Sequence, residues 1–157
     1  MPRKSTKLNK TPYQIKREEL GLSRAKAAEL LDGITEDRLE GIENGRIAAT
    51  PDDILQFADK YGEPSLCNAY CSGQCRIGQR YVPQVDTREL PSIVLGMIAT
   101  LNNVNAMKDR LIAIAADGNI DESEQAEFVK IQEQLEQLSI SVEALQLWVE
   151  KAARGNG

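Results

Sequence analysis

Two rows of residues spaced alternately four and three apart run through the C-terminal half of this chain. The first is Ile93, Met97, Thr100, Val104, Met107, Leu111 and Ile114; the second is Phe128, Ile131, Leu135, Leu138, Val142, Leu145 and Val149. Such a row returns to one helix face every seven residues and forms the seam of a coiled coil. Between the rows, Gly118 can end one helix, and Asp121 with Glu124 makes a capping pair that starts the next. The economical structure is an antiparallel helical hairpin about 33 Å long, at 1.5 Å per residue over roughly 22 residues. Ser139 and Ser141 offer an alternative break that would split the second helix. The apolar surface is wider than the seam, because Val94, Leu95, Ile98, Leu101 and Ile112 flank one row and Leu147 and Trp148 the other. Two helices cannot cover that much. A third surface is required, either the N-terminal part or the same hairpin from a second chain, as in a four-helix bundle. A homodimer through the C-terminal helices is the expectation.

The loop between the rows places Asp117, Asn119, Asp121 and Ser123 at the first four ligand positions of an EF-hand. Glu122 then stands where glycine is needed, Glu124 where an apolar residue is usual, and Phe128 where the bidentate carboxylate belongs. A capped turn is the expected structure, without calcium.

The N-terminal half carries two shorter helical patterns. Ser23 can cap a helix whose apolar face is Ala27, Ala28 and Leu31. Asp32 and Gly33 turn the chain, and Thr35 caps a second helix that points Leu39 and Ile42 inward. Glu36, Asp37, Arg38, Glu40 and Glu43 fall on its outer face. Asn44 and Gly45 close it, both tolerating left-handed backbone. Two short helices about a tight turn make a helix-turn-helix, which sets its second helix in a DNA major groove. Thr11 with Pro12 starts a helix before this pair, and Thr50 with Pro51 starts one after it, ending at Gly62. A fifth begins at Pro64 or Ser65.

This segment resembles the Cro/phage-repressor helix-turn-helix regulators, also called the xenobiotic-response-element family. The resemblance lies in the run from Ile15 to Ser23, the Ala27–Ala28 pair, Ile42 to Gly45, and Pro51 to Gly62, and covers roughly residues 11–70. It implies a sequence-specific transcriptional regulator that binds double-stranded DNA as a dimer. It also implies that Arg17 pairs with Glu43, tying the first helix to the third. Ser23, Arg24, Thr35, Glu36, Asp37, Arg38, Asn44 and Arg46 are the DNA-contact candidates. The chain departs from the pattern in its acidic recognition helix, where a single Arg38 stands among carboxylates. DNA affinity is dominated by cations that release condensed counterions. The alternative reading is therefore a degenerate helix-turn-helix used as a protein-interaction module.

Charge is divided unevenly. Residues 1–62 hold 11 basic and 11 acidic side chains and residues 63–157 hold 8 and 13, so the net charge of −5 belongs to the second half. No global basic footprint marks a nucleic-acid binder. Arg3, Lys4, Lys7 and Lys10 make a basic arm, of a kind that can enter a minor groove and that is more often simply solvated. No secretory signal is visible, and the most apolar run, Ile93 to Ala99, is too short to span a bilayer. Cytoplasmic residence without membrane association is expected, and three cysteines suit a reducing compartment.

Cys67, Cys71 and Cys75 would line one stripe of a helix. Three thiolates there could hold zinc or an iron–sulfur cluster with one position supplied from outside, or form a redox switch. Structural zinc wants four ligands, however, and the chain has no histidine and no fourth cysteine. Without histidine, a phosphate-binding glycine loop or a nucleophile elbow, an enzyme is not expected. The reading is an all-α protein. Residues 1–10 are an arm, 11–71 a four- to five-helix repressor-like domain, 72–90 a linker of little regular structure, and 91–154 a helical hairpin for dimerisation or sensing.

Overall fold

The computed structural model describes residues 9–86, 88–116, 118 and 121–155. Among them lie eight helices and no strand: α1 (Pro12–Glu19), α2 (Arg24–Leu30), α3 (Glu36–Glu43), α4 (Pro51–Lys60), α5 (Ser65–Gly73), α6 (Gly78–Tyr81), α7 (Leu90–Ala115) and α8 (Glu122–Gly155). Two compact units result, one of residues up to Val82 with the end of α8 from Glu150, the other Pro83–Val149. Arg3, Lys4 and Lys7 of the arm and Asp117 and Asn119 of the loop lie outside the described residues.

In the first unit the helix starts follow from side-chain oxygens. Thr11, Ser23, Thr35 and Thr50 each accept the backbone N–H three residues on, at 3.2–3.3 Å. At α4 the cap is reciprocal, because Asp53 accepts the Thr50 N–H at 2.8 Å. Gly33, at φ +75°, makes the turn between α2 and α3, and Gly45, at φ +72°, ends α3 while Asn44 stays right-handed. Apolar faces converge on Phe57, which is wholly buried and stacked between Tyr13 and Tyr61 at centroid distances of 5.2 and 5.6 Å. Leu39, Ile42 and Ile54 close the core around it.

The segment 72–90 is less irregular than its composition suggests. α5 runs on to Gly73, and α6 forms within that segment. Gly78 lets α6 pack on α5, since a Cβ there would run into the Cys71 backbone carbonyl. Gly78→Ala is expected to destabilise the unit by about 1–3 kcal/mol in urea titration. Gly73→Ala, whose Cβ meets open space, is the control; equal effects would refute the close approach.

In the second unit α7 and α8 run antiparallel. Asn103 Nδ2 donates to Gln134 Oε1 at 3.1 Å, and seven residues along α7, Arg110 pairs with Glu127, seven back along α8. The α7 row from Ile93 to Ile114 is the inward one, its ends buried and its middle half-buried. The α8 row is not as expected. Ile131, Leu138 and Leu145 face in, but Leu135, Val142 and Val149 are 44, 36 and 54 % exposed. Gln134, Ser141 and Trp148, one residue earlier in each case, are the half-buried ones. The Asn103–Gln134 bond is made in that rotation. α8 does not break at Ser139–Ser141, because the Ser141 hydroxyl donates to the Gln137 carbonyl one turn back at 2.9 Å and is satisfied within the helix. Asp121 accepts the Glu124 N–H at 3.0 Å, the expected start of α8.

The 26 residues of α7 include an 18-residue window of mean hydropathy 1.2, long and apolar enough to cross a membrane by length and composition alone, whereas the run Ile93 to Ala99 is not.

Candidate nucleic-acid interface

The helix pair α2–α3 is held by a buried ionic knot. Arg17 of α1 clasps Glu43 of α3 through Nε at 2.5 Å and Nη2 at 2.8 Å, and its Nη1 donates to the Leu22 carbonyl at 2.7 Å. From α2, Arg24 Nε reaches the same carboxylate at 2.8 Å. Glu43 has no exposed surface, so it does not lie on the outer face where the helical pattern alone puts it. A carboxylate at a helix C-terminus is opposed by the helix dipole; two guanidiniums overcome that here. The knot fixes α3 against both earlier helices, the rigidity a groove-reading helix needs.

A second clamp was not legible from the sequence. Gln56 of α4 donates to the Asp32 carbonyl at 3.0 Å and accepts the Asp32 N–H at 2.7 Å, holding the turn between α2 and α3. Its only signal is one amide within the apolar run Ile54, Leu55, Phe57.

The eight candidate contact residues divide by what already occupies them. Ser23 and Thr35 spend hydroxyl lone pairs on caps. Arg38 donates to Asp53 at 2.7 Å, bracing α3 to α4. Arg24 and Arg46 also approach Glu40, at 3.7 and 3.3 Å, and Asn44 lies 3.5 Å from it. Glu36 and Asp37, in the first turn of α3 where the dipole favours acids, are exposed and have no ion-pair partner among the described residues. Lys26, exposed on α2 and likewise unpaired, is a cation that the motif reading passed over. Lys10, from the end of the arm, is held by Glu18 at 2.6 Å.

Two carboxylates brace the unit and carry its acid sensitivity. Burial opposes ionisation of Asp53, yet the Thr50 N–H, the Arg38 guanidinium and the Thr50 hydroxyl together hold it below the ordinary 3.8. Burial also opposes ionisation of Glu63, which Lys151, Ser65 and Lys16, at 2.7, 2.7 and 3.0 Å, hold below 4.5. With folded-state values depressed, the unfolded chain binds protons first. The stabilisation is complete above pH 4.5 and is lost as the pH falls through the lower folded values. Thermal midpoints measured from pH 6 downward are expected to drop across that window, and Glu63→Gln to flatten the drop. Parallel profiles for the two proteins would refute the assignment.

The three cysteines do not converge. Cys67 and Cys71 sit in α5, but the helix stops at Gly73 and Cys75 lies beyond it, its sulfur 3.5 Å from the Gly78 N–H. Burial, then the neighbouring Cys71 and the carboxylates of Glu150 and Asp59, push the Cys67 thiol up, which disfavours the thiolate that metals require. Among the described residues no group of three Cys, Asp or Glu side chains is placed to hold a metal ion. The zinc or iron–sulfur site that the cysteine spacing allows is not assembled by these described residues.

Residues 15–73 match the family model of a helix-turn-helix domain. No curated protein and no solved structure matches the chain. The match begins in α1, two residues before Arg17, and ends at the last residue of α5.

Proposed function

We propose that this protein is a cytoplasmic transcriptional regulator of the Cro/phage-repressor type that binds a specific DNA duplex as a homodimer. The observation that carries the reading is the helix-turn-helix match over residues 15–73. In this mode α3 enters the major groove by its N-terminal turn. Glu36 and Asp37 accept from cytosine N4 groups, and Thr35 offers its hydroxyl to either class of base. Arg24, Lys26 and Arg46 neutralise flanking phosphates, with Ser23 and Asn44 beside them. The Glu40 pairs of Arg24 and Arg46 span 3.7 and 3.3 Å and lie at the surface. Such pairs are worth about 0–1 kcal/mol, so exchange for a phosphate costs little. Arg38 is different: its partner Asp53 is only 8 % exposed, and it stays a brace. So does the Nε end of Arg24 on the wholly buried Glu43, which leaves only the Glu40-facing end of Arg24 to turn to a phosphate.

The acids at Glu36 and Asp37, with the arginines already engaged, favour a second use of this face, the docking of a basic protein. Selection of duplexes from a random pool by the purified protein, at low and moderate salt, separates the two. A twofold-symmetric site is expected, bound less tightly as salt rises. Arg46→Ala is expected to reduce the slope of log affinity against log salt by about 1. No retention of duplex even at low salt would overturn the DNA reading and leave protein docking.

Dimerisation is proposed through one side of the hairpin. Val94 and Leu101 follow seam positions of α7 directly, as Leu135, Val142 and Val149 follow those of α8. In an antiparallel pair such positions share a side. With Ile98 they make an exposed apolar face spanning both helices. From Leu90 to Met107 α7 has no charged side chain, and a second copy of the hairpin is the surface that covers it. Asn102, Asn103 and Asn105 interrupt the same stretch; their amides suit an interface between helices better than hydrocarbon, where unpaired polar groups are costly.

A further inference from the structure

We infer that the opposite side of the hairpin is a binding site for a small zwitterion with an apolar tail, a molecule of the α-amino-acid class. There, α7, α8 and the segment before α7 line an open groove of about 310 Å³, with Gln84, Asp86, Arg88, Ser92, Gly96 and Gln137 on its solvent side. That volume is at the small end of ligand sites, about 300–1,000 Å³. The site deepens the regulator reading by supplying its signal, but binding itself does not depend on DNA.

The lining dictates the chemistry. Asp86 and Arg88 are its only charged side chains among the described residues. They stand 3.8 Å apart with most of their surface in water, a loose pair that an ammonium and a carboxylate can replace together. Their charges cancel, so the ligand that fits carries no net charge. Gln84 and Gln137 contribute side-chain amides that have no hydrogen-bond partner among the described residues. The Thr100 and Ser141 hydroxyls already donate to carbonyls of their own helices, each at 2.9 Å, and offer acceptors only. The floor is aliphatic, with Ile93 5 % exposed.

Gly96 lines this space. It sits inside α7 without a positive φ, and a Cβ built there meets no atom within 4 Å. Glycine is a poor helix former, so neither turn geometry nor close packing accounts for it. A side chain at this position would project into the groove.

The test uses the full chain without DNA, with L-leucine, L-isoleucine and L-phenylalanine as probes in thermal unfolding and titration calorimetry. At least one is expected to raise the unfolding midpoint in a concentration-dependent way. Its amide and its des-amino acid, each lacking one charge, are expected to bind about tenfold more weakly or worse. Gly96→Leu is expected to remain helical by circular dichroism and lose the shift; Arg88→Gln, at an exposed position, is expected to bind about tenfold more weakly. No shift with any probe, or an undiminished shift in both variants, would overturn the proposal. Failure to select a duplex would leave it standing.

Discussion

Arg17→Met is expected to cost about 3–5 kcal/mol, the range for removing one partner of a buried ion pair. Glu43 has no exposed surface and loses both Arg17 bonds in the change while that from Arg24 remains, and the Leu22 carbonyl loses a donor. The buried carboxylate then loses the bidentate clasp and is held by the single Arg24 Nε bond, so its desolvation is only partly offset. That weakens the junction of α1, α2 and α3. For a unit of this size that corresponds to a midpoint lowered by roughly 15 °C or more. Arg17→Met combined with Glu43→Leu should recover much of the loss, because a buried pair replaced by apolar groups is often neutral. Arg24 then remains able to reach Glu40, 3.7 Å away. Urea unfolding of both variants decides the matter. A single variant within about 1 kcal/mol of the parent would mean that solvent reaches the knot.

That knot also shows how far the sequence could be read. Helix starts at Thr11, Ser23, Thr35 and Thr50 were legible because a cap is a local event, settled within four residues. The pairing of Arg17 with Glu43 joins positions far apart in the chain and entered only through resemblance, since a helical wheel places Glu43 outside. The occupancy of Arg24, Arg38 and Arg46 was not legible at all. Which carboxylate meets which guanidinium depends on how α3 and α4 cross, and no short-range spacing encodes that. The hairpin gives the same lesson in another form. Its existence and direction follow from the two rows, but the face α8 turns inward is that of Ile131, Leu138, Leu145 and Leu147, with Gln134 and Ser141 half-buried beside them and Leu135 and Val142 outside. A heptad of 3.5 residues and a helix of 3.6 drift slowly apart, so a rule choosing the more apolar of two adjacent positions selects wrongly where the seam lies on the other. Cys75 fell out of the cysteine stripe because Gly73 ends α5 first.

Leu101→Glu together with Val142→Glu is expected to convert a dimer into a monomer and to weaken operator binding by about 10²-fold or more, the scale lost when two linked half-site contacts become one. Both residues lie outside the α7–α8 seam and are already 43 and 36 % exposed. In an isolated hairpin each substitution is therefore a surface change, worth within about 0.5 kcal/mol. In a dimer the same carboxylates lie in an apolar interface without partners, where each costs several kcal/mol. This difference makes the experiment specific: helicity and thermal stability at low concentration should survive while the mass in sedimentation equilibrium falls from twice 17.4 kDa to 17.4 kDa. Half-site recognition by α3 is untouched, so residual binding should retain sequence preference and its dependence on salt. A parent protein already monomeric at micromolar concentration would exclude the hairpin face as a self-association surface. Capture of the parent by lipid vesicles would then assign the uncharged stretch of α7 to a bilayer.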